Sequence, residues 1–213
     1  MTVKTIHYLA AALLAAAVCS CQKEPSTSDL HREYLVYTDC DRTADFSAFE
    51  TFYLPDSILL IGSNKKTEYW KDAAALEIVA AVAVELEAAG FLRVEEKDAA
   101  ELGVQLSYVE QETYFVGAGD PYWWWYYPYY WSPGYWGDWL GWHYPYRVYY
   151  GYTAGSLLLE MVDLGTNQLS GKRLPIVWDS FISGLLTSNA SLNQQRTLDA
   201  IEQAFAQSPY LYQ

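Results

Sequence analysis

Ala99-Ala-Glu-Leu-Gly-Val-Gln-Leu-Ser-Tyr-Val-Glu-Gln-Glu112 places Leu102, Val104, Leu106 and Tyr108 on one face at period two. That alternation is the signature of a strand with one side on a core, and it excludes a helix here. Just upstream, Leu76, Val79, Ala80, Ala83 and Leu86 repeat at helical spacing, so a first helix is expected from Glu68 to Ala89. Gly90 stands where a left-handed C-terminal cap belongs, with Phe91 placed to fold back on the last turn.

Further upstream, Tyr34–Thr38 reads as a strand and Asp39-Cys-Asp41 as a turn. Asp45–Tyr53 is a short turn leading into a second strand, stopped by Pro55; Ile58–Ile61 is an apolar run of either state. Downstream, Leu157, Leu159 and Met161 alternate with Leu158, Glu160 and Val162, and Asp163–Asn167 is a turn. Leu174–Ile182 is a further strand, with Pro175 near its start, where a missing N–H is tolerated. A final helix opens on a capping-box arrangement of Ser191 and Gln194, carries Leu198, Ile201 and Phe205 as its stripe, and ends before Pro209. The expected fold is α+β: a mixed or antiparallel sheet of about five strands, two helices packed on it, and a long Trp/Tyr-rich insert.

That insert, residues 120–152, holds seven of the nine Trp in the chain, and Gly and Pro punctuate it. Loops of this length are functional or disordered, and Trp is too apolar for an ordinary linker. Its candidate contact residues are Trp123, Trp124, Trp125, Tyr129, Trp131, Trp136, Trp139, Trp142 and Tyr146. Three readings stand side by side. The insert is an apron folded over the domain's own sheet, each ring burying about 150–250 Å². Or it is an exposed platform for a protein or a glycan. Or it touches a membrane at the headgroup boundary, where Trp and Tyr concentrate. Nucleic acid is excluded on charge, since Arg147 is the only Lys or Arg in the insert.

The N-terminus carries the second strong signal. A short start with Lys4 leads into Ile6–Val18, apolar apart from His7 and too short to span a bilayer, but of signal-peptide length. Val18-Cys-Ser-Cys21 resembles a lipoprotein cleavage site: residues 1–20 are expected to be removed and Cys21 to become the lipidated first residue. Several acyl chains anchor a protein stably where one does not. Residues 21–32 are a polar tether, in which Gln22-Lys-Glu24 resembles a short export tag for the cell surface, and 33–213 a single domain. The expected location is the outer membrane, lipid-anchored, facing the periplasm or the cell surface.

Removing Lys4 with the signal takes the formal net charge from −13 to −14. Such a surface repels phosphate backbones. Only Cys40 then remains as a thiol, with Arg42 the only basic residue beside it, so it reads as a small turn-region residue. Asp120, Asp138 and His143 make no recognisable metal pattern. No phosphate loop, nucleophile elbow or paired zinc spacing occurs, Glu95/Glu96 read as solvated charge, and His31 lies in the tether. Neither a metal nor a cofactor is expected.

The order of these elements resembles bacterial lipoproteins carrying domain of unknown function 4136, over about residues 34–209. Asp39-Cys-Asp41 with Asp45-Phe-Ser-Ala-Phe-Glu-Thr-Phe is similar to that family's opening element. Ala88-Ala-Gly-Phe-Leu-Arg-Val, Ala99-Ala-Glu-Leu-Gly-Val, Gly155–Asp163 and Thr166–Leu169 follow its later motifs. Glu101 stands where the family often has Asp, residues 170–175 intervene before Ile176-Val-Trp178, and Ser180 replaces a Gly. The resemblance implies an architecture and no activity. The functional expectation is therefore a non-enzymatic envelope lipoprotein whose aromatic loop contacts an envelope component, with a surface glycan-binding module as the alternative and an enzyme third.

Overall fold

The computed structural model describes residues 34–61, 67–110, 133–136, 142–145, 155–165 and 174–213. The strands are β1 (Leu35–Cys40), β2 (Thr51–Tyr53), β3 (Ile58–Ile61), β4 (Glu68–Trp70), β5 (Leu92–Arg93), β6 (Leu102–Val109), β7 (Trp142–His143), β8 (Ser156–Asp163) and β9 (Leu174–Ser183). Two helices, α1 (Ala73–Ala88) and α2 (Ala190–Ala206), accompany them, and Pro133–Trp136 forms a single helical turn.

The fold is α+β, as the sequence implies, but the sheet is larger than the five strands expected: eight strands share one open, mostly antiparallel sheet. Its centre is β1-β9-β8-β6, antiparallel throughout. The free edge of β6 is divided between two short parallel partners, β2 at its start and β3 at its end. β4 pairs with β3 and β5 with β2. β7 attaches separately, two residues parallel to the start of β9. The additional strands are two to four residues long, too short for alternation to register in a sequence.

The first helix starts later than its periodicity suggested. Glu68–Trp70 is strand, and Asp72 caps the helix by accepting a hydrogen bond from the Ala75 N–H at 2.9 Å. The buried stripe is Ala75, Ile78, Val79, Val82, Ala83 and Leu86; Leu76 is exposed, so the apolar face is rotated from the one expected. An Ala-rich sequence with Val84 on the solvent side offers little contrast to fix the phase. The stop is as expected. Gly90 has φ +109°, its N–H bonds Glu87 O, and the Phe91 N–H bonds Leu86 O, the paired bonds of a Schellman motif. At α2 the cap is Asn189, whose Oδ1 accepts from Leu192 N, so Ser191 lies inside the helix. Gln194 reaches across to α1 instead, donating to Ala74 O and Glu77 Oε2.

Both faces of the central strands are covered. The inner face, with Leu102, Val104, Leu106, Leu157, Leu159 and Met161, packs under the two helices in the main core. Trp178 completes it, in ring contact with Phe205 at 5.3 Å and donating from Nε1 to Ser208 Oγ at 2.9 Å. The outer face carries a second cluster: Val109, Leu158, Val162, Leu174, Ile176 and Phe181 around Trp136 and Tyr144. Leu174 and Ile176 share a face with Phe181 only because the β8–β9 register shifts between Met161 and Val162. This bulge reverses the alternation just after the point where the sequence departs from the family pattern.

Candidate functional site

The described residues of the aromatic insert reach the outer face through Trp136 and Tyr144. Polar side chains line up across it. Gln105 on β6 is opposite Glu160 on β8, Glu160 is opposite Asp179 on β9, and Asp179 is opposite Asp39 on β1. Gln105, Glu160 and Asp179 are fully buried. Burying such groups is costly unless hydrogen bonds replace water, and the described part of the insert supplies two of them. Trp136 Nε1 donates to Gln105 Oε1 at 2.7 Å, and Gln105 Nε2 donates to Ser107 Oγ at 2.9 Å. The Tyr144 hydroxyl donates to Glu160 Oε1 at 2.5 Å, and the Tyr37 hydroxyl donates to Asp39 Oδ2 at 3.1 Å.

The rings interlock around these bonds. Trp136 meets Tyr53 and Tyr135 edge to face at 6.2 and 6.3 Å. The Tyr135 hydroxyl is hydrogen-bonded to the Ser57 hydroxyl and tilts against Tyr69 at 5.0 Å. Burial pushes the Tyr135 phenol well above its ordinary range, with the Ser57 bond opposing, and burial raises Tyr53 as well. Among its described residues, the insert is thus pinned by the side chains of Tyr135–Trp136 and Tyr144 and by the backbone pairing of β7 with β9.

Of the residues singled out in the insert, Trp136 is buried and acts as an anchor, not as a surface contact. Trp142 contributes backbone to β7. Trp123, Trp124, Trp125, Tyr129, Trp131, Trp139 and Tyr146, together with Cys21, Asp120, Asp138 and Arg147, lie outside the described residues. The buried row Gln105–Glu160–Asp179 was not picked out from the sequence. Its signal was there in the lone acid of Leu158-Glu160-Val162, whose phase places a carboxyl among apolar neighbours.

Cys40 ends β1 and is half-buried rather than sitting in a turn. It lines an open pocket of about 440 Å³ with Arg42, Phe46 and Tyr210. Burial raises its pKa, and a hydrogen bond with Tyr210 partly offsets this, so the thiol form is favoured. Among the described residues, no group of His, Cys, Asp and Glu is placed to hold a metal ion, and no helix is long and apolar enough to cross a membrane.

Comparison with known proteins adds a family and no activity. The family model described as domain of unknown function (DUF4136) matches residues 36–210. The crystal structure of a DUF4136 family protein from Bacteroides thetaiotaomicron is 45% identical, with a TM-score of 0.75, covering 84% of this chain and 97% of that one. A comparison with curated proteins gave no match.

Proposed function

We propose, for a chain that belongs to the DUF4136 family, that it is a non-enzymatic lipoprotein of the outer membrane. Cys21 holds it to the membrane, and its aromatic insert contacts an envelope component. The carrying observation is the anchoring of the insert: Trp136 and Tyr144 are buried and hydrogen-bonded on the outer face of the sheet. Those rings fix the base of the insert. Trp123, Trp124, Trp125, Tyr129 and Trp131 are joined to that base through the chain and are the residues we assign to contact. Part of the insert is therefore apron, and the apron serves to position the remainder. The buried polar groups of the outer face act as internal hydrogen-bond partners, an architecture for binding rather than for turnover.

The test replaces Trp123, Trp124, Trp125, Tyr129 and Trp131 with Ser and leaves the anchors intact. The expected result is a domain with unchanged unfolding temperature that no longer co-sediments with purified envelope fragments when Cys21→Ser removes the lipid. Undiminished sedimentation would overturn the reading, and loss of folding would make those rings part of the apron. Mass spectrometry of the N-terminus tests the anchor: the expected product starts at an acylated Cys21.

A further inference from the structure

A second candidate site lies on the other side of the sheet, where the N-terminal ends of α1 and α2 meet. A cavity of about 270 Å³ opens there. Trp70 and Tyr108 line it, their rings 5.4 Å apart and inclined at 60°. Ile78, Leu157 and Leu185 supply apolar surface, while Asp72, Asn193 and Gln194 supply polar groups. The cavity shares no lining residue with the anchors of the insert.

Its walls are fixed in advance. The Asp72 carboxyl is held by the Ala75 N–H at 2.9 Å, and the Trp70 ring by its contact with Tyr108. Leu186 packs on Gly155 so closely that a Cβ there would lie 2.6 Å from Leu186 Cδ1. Asn193 Oδ1 accepts from Thr187 N at 2.7 Å and from Thr187 Oγ1 at 2.6 Å. A preformed site avoids the ordering cost that weakens flexible ones. Hydrogen-bonding capacity nevertheless remains. Gln194 uses its amide N–H groups on Ala74 and Glu77, which leaves Oε1 as an acceptor. Asn193 Nδ2 makes one bond, to Thr187 O, and has a second N–H. The Tyr108 hydroxyl makes no hydrogen bond to a described residue, and burial, then the nearby Glu110, raise its pKa and keep it a donor.

Size and charge narrow the ligand. A cavity of roughly 150 Å³ holds benzene, so this one suits a single substituted ring. It falls just below the range of roughly 300–1,000 Å³ typical of drug-sized ligands. No Lys or Arg lines it, and Asp72 does, in a chain of net charge −13, so anions are repelled. A purely apolar ring would leave the polar groups desolvated and unpaired. A ring with apolar faces and a hydroxyl periphery meets both demands, because one face packs against the Trp70–Tyr108 pair while its edge bonds the amides and the carboxylate.

We infer that this cavity binds one neutral sugar ring, the terminal residue of a glycan. The site is independent of the insert, so the two proposals fail separately.

Saturation-transfer NMR on the full chain in detergent tests it, with glucose, galactose and N-acetylglucosamine as probes, glucuronic acid as the anionic counterpart and benzyl alcohol as the apolar one. At least one neutral sugar is expected to saturate the site and to outbind both counterparts. Trp70→Ala should weaken that sugar at least tenfold. So should Ala190→Phe, which fills the cavity from an exposed helix position and keeps the test valid if Trp70→Ala does not fold. Replacing the five insert rings with Ser should leave it unchanged. Saturation by no neutral sugar, binding that survives Ala190→Phe, or tighter binding of benzyl alcohol would each overturn the assignment.

Discussion

Trp136 lies directly against the backbone of Gly103: a Cβ on that glycine would sit 2.7 Å from Trp136 Cη2 and 3.0 Å from Val162 Cγ2. The glycine interrupts a strand whose other residues all have side chains to pack, and the gap it leaves receives the indole. Gly103→Ala is therefore expected to destabilise the domain by about 1–3 kcal/mol, the usual cost of overpacking. It should also shift tryptophan emission to the red as Trp136 is displaced toward water. Unchanged urea midpoint and emission would show that the indole does not need this socket.

The hydrogen bond from Trp136 to Gln105 is testable by a double-mutant cycle. Gln105→Leu leaves the indole N–H buried without its acceptor, at about 1–3 kcal/mol. Trp136→Phe removes the donor instead. The two substitutions together are expected to cost less than the sum of the singles by about 1 kcal/mol or more, measured by urea unfolding. Strict additivity would mean that the bond contributes nothing beyond packing.

Such contacts explain which parts of the structure were legible in the sequence. β6 and β8 declared themselves because each has a core face at period two, and the stop of α1 because Gly90 supplies a positive φ. The second face was not legible. Glu160, alone among apolar neighbours, was its one trace; Gln105 and Ser107 carry no such mark, and the positions of Trp136 and Tyr144 in space make the row interior. β4 was absorbed into α1, because Glu68-Tyr-Trp70 has no periodicity of its own and the cap that separates them, Asp72, is one residue among several acids. The register of β9 depended on a bulge, which no pattern of apolar residues announces in advance.

The start of α2 gives a direct test of capping. Asn189 is the cap and Ser191 is an exposed residue within the helix. Asn189→Ala is expected to cost about 0.5–2 kcal/mol, and Ser191→Ala close to nothing. Thermal unfolding of the two variants decides the matter, and the opposite ranking would restore a capping box at Ser191.

Alkali should open the outer face. Tyr135 and Tyr53 both have folded pKa values raised by burial above the ordinary phenol value of 10.0. A phenol raised in this way stabilises the fold fully below its unfolded pKa, and that contribution is lost as pH rises through the folded value. The domain is expected to hold its stability up to about pH 10 and to lose it above, with tyrosinate absorbance and loss of buried Trp emission rising together. Tyr135→Phe should flatten this alkaline limb. Tyrosine ionisation that runs to completion with Trp emission unchanged would uncouple the phenols from the insert.

Cys40 offers the last test, because its neighbours act on it with opposite signs. Burial raises the thiol pKa most; Asp39 and Asp41 add to this, while the Tyr210 hydrogen bond and Arg42 lower it. With Cys19 and Cys21 replaced by Ser, Cys40 is the sole thiol in the chain. At neutral pH a disulfide reagent should label it more slowly than a free cysteine, since only the thiolate attacks. Arg42→Ala removes an exposed cation and should slow labelling further. Asp41→Asn keeps an acceptor for the Thr43 turn bonds at 2.7 and 2.8 Å and should speed it. Labelling at the rate of a free thiol, or both variants moving the rate in the same direction, would mean that the local charges do not reach the sulfur.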